Sequence, residues 1–289
     1  MTAMKLKVNL HITNNCNYRC RYCFAHFNNP QDIDLAQWKA VVDNLKSSGM
    51  VSHVNFAGGE PLLYRGFAEL LRYTHEDAGM DCSVITNGSL LLRPTIVPQG
   101  FYRHLSMLGI SVDSCDHDTL LRLGCADRQG RTLSVDDLHS IISKAKAENP
   151  DIHIKFNTVV TSENQHEVIA PLEKEFTIDR WKFLKMKLFE TENFSNQDLL
   201  ISEAEYKEFL ARNELNQTDH VDESSMERSY IIIDNCGNLI DNKRKSYEVV
   251  GSLLEEPFAE VFGRYSFDSE LYGVRYRAQD DRTVSRRSA

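Results

Sequence analysis

CNYRCRYCF, residues 16–24, sets Cys16, Cys20 and Cys23 within eight positions, and its reading decides the fold. It follows LKVNLHI at 6–12, whose alternation of apolar and polar residues predicts a strand. Thiols at the carboxyl end of a first strand stand where α/β enzymes place their chemistry. Thiolates are soft ligands, suited to zinc or to an iron–sulfur cluster. A structural zinc ion wants four protein ligands, so His26 or His11 would have to complete the set. A cubane held by three cysteines instead leaves one iron open for a small molecule. Spacing alone leaves zinc, cluster and coincidence standing.

Outward from this loop, apolar runs alternate with helical patterns. Strands are predicted at 53–57, 82–86, 108–113, 152–160 and 181–188. Between the first two strands, Leu35, Trp38, Val41, Val42 and Leu45 share one helical face. Asp34 and Gln37 make a capping box before it, and Gly49 sits at its end. Helical patterns also cover 134–148, 166–176 and 202–213. Six strand–helix units in series predict a parallel sheet with helices outside it. Six is too few to close the eightfold barrel, so the expected fold is α/β, a partial (β/α)6 barrel over residues 1–190. Residues 191–289 form a carboxyl-terminal extension that completes and covers the site. In it SYIIIDNCGNLIDN, 229–242, reads as a hairpin turning at Cys-Gly-Asn. The final ten residues, DDRTVSRRSA, are expected to be disordered.

The chain of 289 residues carries a net charge of −9, which argues against nucleic-acid or membrane-surface binding and requires any anionic ligand to be met by a local basic cluster. Its seven cysteines show no disulfide spacing, and neither a signal peptide nor a membrane-spanning run is apparent. A reducing cytoplasm is the expected location.

CNYRCRYCF resembles the signature of the radical S-adenosylmethionine (SAM) enzymes. The resemblance implies that Cys16, Cys20 and Cys23 hold a [4Fe–4S] cluster whose open iron chelates SAM, and that SAM is cleaved to methionine and a 5′-deoxyadenosyl radical. Tyr22 matches the position near the adenine. FAGGEPLL, 56–63, matches the family's glycine-glycine-glutamate motif: Gly58 and Gly59 permit close backbone approach, and Glu60 can accept hydrogen bonds from an ammonium group. ITNG and ISVD place Asn87 and Ser111 at the other cofactor-contact positions. Arg128 is the expected partner of the SAM carboxylate, with Arg122 and Arg131 as alternatives.

The fifth strand points to the substrate. Ile152, Ile154 and Phe156 share one face, and His153, Lys155 and Asn157 the other. Packing the apolar face on the helices turns Lys155 and Asn157 to the barrel interior. Arg180 and Lys182 share a face on the sixth strand, and His53, Asn55 and Ala57 on the second. If all turn inward, the cations need an anion, and a triphosphate fits. Singly, each lysine is better read as solvated, and only the matching phase on two successive strands favours convergence.

The same segments resemble viperin and its microbial relatives from about residue 9 to 255. IKFNTVV, RWKFLKMKLFETEN with its Glu192–Asn193 pair, and SYIIID carry this most specifically. The resemblance implies a lyase that dehydrates a ribonucleoside triphosphate to its 3′-deoxy-3′,4′-didehydro analogue, a chain terminator in antiviral defence, with an external electron donor. CTP or UTP is favoured over GTP. It assigns substrate contact to His53, Asn55, Lys155, Asn157, Arg180, Lys182, Arg275 and Tyr276, and places Tyr230 beside the reacting ribose. This chain departs from animal viperins at His53 and Ala57, where they have lysine and serine. It also departs in a longer LGCADRQGRT loop and in lacking their amphipathic membrane helix, so a soluble microbial form is expected. Rival radical SAM classes commonly bind extra clusters with grouped carboxyl-terminal cysteines, whereas Cys82, Cys115, Cys125 and Cys236 are scattered. A zinc-stabilised binding module is the alternative outside enzymology.

Overall fold

The computed structural model describes residues 5–25, 31–188, 195–213, 227–242 and 247–276. His26, the Glu192–Asn193 pair and the final ten residues lie outside them.

Six parallel strands appear in chain order: β1 (Leu6–His11), β2 (Val51–Ala57), β3 (Asp81–Thr86), β4 (Met107–Ser111), β5 (His153–Val160) and β6 (Arg180–Lys185). They lie side by side in the order β6-β5-β4-β3-β2-β1, each parallel to its neighbour, and the sheet stays open. This is the expected partial barrel.

The helices pack against one face. In α1 (Leu35–Ser47), Trp38, Val41, Val42 and Leu45 are buried, and the Asp34–Gln37 capping box forms as the sequence predicts. The connections after β2, β4 and β5 carry α2 (Phe67–Arg72), α3 (His117–Leu123), α4 (Val135–Glu148) and α5 (Pro171–Glu175). The helix expected over 166–176 is confined to α5. Pro171, which has no N–H to give, stands at its start. Strand alternation buries Ile154 and Phe156 among these helices and leaves Lys155 and Asn157 on the opposite face.

Beyond β6 come α6 (Glu203–Arg212) and then the hairpin of β7 (Ile232–Ile233) and β8 (Asn238–Asp241). β7 pairs in parallel with β1, so the hairpin extends the same sheet on its β1 side. Among the described residues, β9 (Glu248–Ser252), which the sequence does not announce, completes a nine-stranded sheet, and α7 (Phe258–Arg264) packs beside it. Residues 269–276 are helical. Among the described residues no helix is long and apolar enough to cross a membrane.

Candidate active site

The cysteine loop is held by backbone contacts on both sides. On one side the turn after β2 reaches it, with Gly59 N–H donating to Thr13 O and Glu60 N–H to Asn15 O, both at 2.7 Å. Side chains are not tolerated here: a Cβ on Gly58, whose φ is +146°, would stand 2.5 Å from Thr13 O, and one on Gly59 would stand 2.3 Å from Asn15 O. On the other side, Arg19 and Arg21 N–H donate to Gly124 O and Leu123 O at the end of α3. Asp32 accepts from Thr13 Oγ1, the Asn14 amide and Asn235 Nδ2, tying the loop's start to the β7–β8 turn.

So clamped, Cys16, Cys20 and Cys23 line one cavity, whose empty volume of about 1090 Å³ includes its open mouth. Tyr22, Gly58, Gly59, Asn87 and Ser111 share the lining, and Tyr230 joins from the carboxyl-terminal extension. Burial pushes the Cys16 thiol up to about 11, although Tyr18 N–H donates to its sulfur. The Cys20 thiol is raised as well, first by Cys125 and then by burial, and metal binding supplies the positive charge that lets such thiols ionise. Among the described residues no group of three His, Cys, Asp or Glu side chains converges as one ion requires. Thiolates lining a shared cavity are the soft donors an iron–sulfur cluster takes.

Other candidates fix the cavity wall. Tyr22 donates its hydroxyl to Asp113 Oδ2 at 2.5 Å, while Asp113 Oδ1 accepts from Val159 N–H. Burial raises the Asp113 carboxyl to about 6, and these hydrogen bonds limit the rise. Glu60 is fully buried and receives Leu62 N–H, Thr86 Oγ1 and Asn87 N–H, so its carboxylate braces the Gly-Gly turn against the end of β3. Burial raises it to about 7. Asn87 donates to Asn17 Oδ1 and, at 3.9 Å, to Cys16 Sγ. Arg122 and Arg131 are ion-paired to Glu163 and Asp127, whereas Arg128 is exposed on the intervening turn.

The basic residues meet elsewhere on the inner face. Lys155 pairs in register with Arg180, and Asn157 with Lys182. Both ammonium groups are driven well below the usual lysine value. Burial is the first cause for each. Arg180, Lys7 and Arg275 act next on Lys155, and Arg275, Lys155, Arg180 and Lys7 on Lys182. Arg275, only 8% exposed, lies with its guanidinium 4.8 Å from the Tyr230 ring and 5.8 Å from that of Tyr276. Tyr230 thus belongs to both halves of the site, and burial holds its hydroxyl in the protonated form. On β2, Asn55 donates to Asn9 Oδ1 and accepts from Ser83, which also meets His53 Nε2 at 2.8 Å. His53 is pushed well below its ordinary value, first by burial and then by Lys7, and stands as a neutral ring.

Residues 10–173 match the radical SAM superfamily. A protein of Selenomonas ruminantium named S-adenosylmethionine-dependent nucleotide dehydratase is 48% identical over 273 residues, covering 94% of this chain and 99% of its own. The chain belongs to this radical SAM family. A protein of the same name from Fibrobacter sp. (strain UWH6) is 31% identical, over 96% of this chain and 89% of its own. In fold, the chain superposes on native anSMEcpe with bound AdoMet and Cp18Cys peptide at TM-score 0.66 and 16% identity, over 93% of this chain and 84% of that one.

This radical SAM enzyme uses a [4Fe–4S] cluster and SAM as cofactors. The residues fit them: a three-thiol loop supplies the soft donors, and the backbone of Gly58 and Gly59, bare of side chains, lines the same cavity. Four participants escaped the sequence reading. Lys7 faces His53 across the β1–β2 pairing, and the alternation applied to the fifth strand, applied to LKVNLHI, places Lys7, Asn9 and His11 on one face. Asn9 follows from the same pattern, whereas Asp113 and Cys125 meet Tyr22 only through distant loops.

Proposed function

We propose that the chain dehydrates a ribonucleoside triphosphate, CTP or UTP in preference to GTP, to its 3′-deoxy-3′,4′-didehydro analogue. The observation that carries this reading is the convergence of Lys7, Lys155, Arg180, Lys182 and Arg275 on a half-buried face of an acidic protein, joined to the cysteine cavity through Tyr230. Cations brought together out of water call for a multiply charged anion, and a triphosphate supplies it. The name shared by the relatives from Selenomonas and Fibrobacter supports a nucleotide.

When bound, the cluster and SAM supply the radical that takes a hydrogen atom from C4′. Loss of the 3′ oxygen as water then consumes one proton, and one electron from an external donor closes the product's valence shell. The protein's part is positioning and proton supply. The basic cluster anchors the phosphates, Asn55 and Asn157 orient the sugar, and Tyr276 covers the base. Tyr230, kept as a phenol, delivers the proton to the departing oxygen. The cavity wall around Tyr22 and Asp113 shields the reacting carbon from water. The extension from residue 191 covers the nucleotide, and the reaction takes place in the cytoplasm. The product, lacking a 3′ hydroxyl, terminates polymerase chains in antiviral defence.

The test reconstitutes the cluster without oxygen, adds dithionite and SAM, and offers each ribonucleoside triphosphate separately. A strong rise in 5′-deoxyadenosine with one of them, and a nucleotide product lighter by one water, is the expected result. Slow cleavage that no nucleotide accelerates would reject this substrate class.

A further inference from the structure

A fourth thiol stands against the cluster loop. Cys125 lies just beyond α3, with its amide donating to Leu120 O at 2.8 Å and its side chain buried in the cavity wall. Its Sγ is 3.5 Å from Cys20 Sγ and 3.2 Å from the Tyr22 hydroxyl. The backbone enforces this contact. Gly124, at φ +75°, packs so tightly that a Cβ would stand 2.2 Å from Arg19 O and 3.4 Å from Cys20 Cα. The end of α3 therefore cannot drift away from Cys20.

Tyr22 lies beside Cys20 as well, but its single hydroxyl proton is committed to Asp113 at 2.5 Å. Cys20, once ligated to iron, is a thiolate with no proton of its own. The proton between the two sulfurs then belongs to Cys125, and an anionic thiolate accepts it more strongly than the neutral Tyr22 oxygen does.

We propose that Cys125 is a positioning residue of the cluster: its S–H donates to the Cys20 thiolate and raises the cluster's reduction potential. A hydrogen bond to a ligating sulfur stabilises the more negative, reduced cluster more than the oxidised one, which eases electron entry. This role does not depend on the identity of the nucleotide.

The test is a redox titration of the reconstituted, SAM-free enzyme followed by electron paramagnetic resonance, with iron and sulfide counted on each sample. Cys125→Ala should retain the full cluster and show a more negative midpoint potential. Cys125→Ser restores a donor and should return the potential most of the way to that of the unmodified enzyme. Cys125→Val keeps the volume without the donor and should match alanine, so that a hole is not mistaken for a lost hydrogen bond. Coincident potentials in all four proteins overturn the proposal. A serine variant shifted as far as alanine also overturns it. So does failure of alanine and valine alike to assemble a cluster, which would make Cys125 a scaffold residue.

Discussion

The two halves of the inner face are built by opposite means. At the cofactor end, the groups that matter sit on loops, and the strands contribute backbone and braces. Gly58, Gly59 and Gly124 let main chain touch main chain, while Glu60 and Asp113 spend their carboxylates on hydrogen bonds that hold the wall. At the basic end, the groups project directly from strands, and register alone places Lys155 against Arg180. The first half is preorganised by hydrogen bonds and close backbone packing. The second stores like charge that burial makes costly. A loop site tolerates no added bulk, and a strand site tolerates no register slip.

The sharpest break between the halves is Cys20→Ala, which should abolish both cluster content and 5′-deoxyadenosine formation, read by iron analysis and product assay. Lys182→Ala should separate them. Removing one buried partner of a charged ligand costs about 2–5 kcal/mol, or at least about thirtyfold in KM, while cluster content and nucleotide-free SAM cleavage stay unchanged. A companion experiment uses inorganic triphosphate. It should raise the melting temperature of the unmodified protein through preferential binding to the folded state, and should do so much less for Lys182→Met. Lys7→Gln comes next, with KM raised roughly tenfold, because its charge acts on Lys155 and Lys182 from a neighbouring element. An unchanged KM would remove β1 from the basic half.

The mildest effect concerns stability. Glu60 rises from 4.5 to about 7 through burial, so the folded state holds its proton more tightly than the unfolded chain does. Its contribution is therefore fully favourable below about 4.5 and is lost as pH rises to about 7, with no further change above. Urea midpoints across that window should fall with pH more steeply in the unmodified protein than in Glu60→Gln. Equal slopes would show that the bracing hydrogen bonds compensate the buried charge.

This contrast also explains what the sequence disclosed. Strands are local: β5 declares its faces by alternation, and α1 declares its start by Asp34 and Gln37. The hairpin was legible from its turn, but not its docking on β1, because a two-residue strand carries no mark of its partner. β9 escaped because EVVGS is short and holds no buried residue, so no buried face gives it a period. Among site residues, the cysteines, Asn87 and Ser111 line one cavity, and the basic residues of β5 and β6 pair in register. Lys7 was readable by the same alternation but stands beside a louder motif. The Tyr22–Asp113–Cys125 group was not readable, since its members lie 91 and 103 residues apart. Glu60 shows the limit of a motif: three letters name the residue, while the fold decides where its oxygens point.

The parallel pairing of β7 with β1 has a consequence in time. Asn9 on the first strand bonds through both its backbone and its side chain to Ile231, 222 residues later. Contacts of such sequence separation form late, because the intervening loop entropy must be overcome first. During synthesis, β1 and the thiols that follow it emerge from the ribosome long before the segment that flanks them on one side. Delivery of iron and sulfide to a finished pocket must therefore wait for the carboxyl-terminal hairpin. A cell that truncates this chain before residue 231 makes a protein with every cysteine of the loop and an unpaired edge beside them.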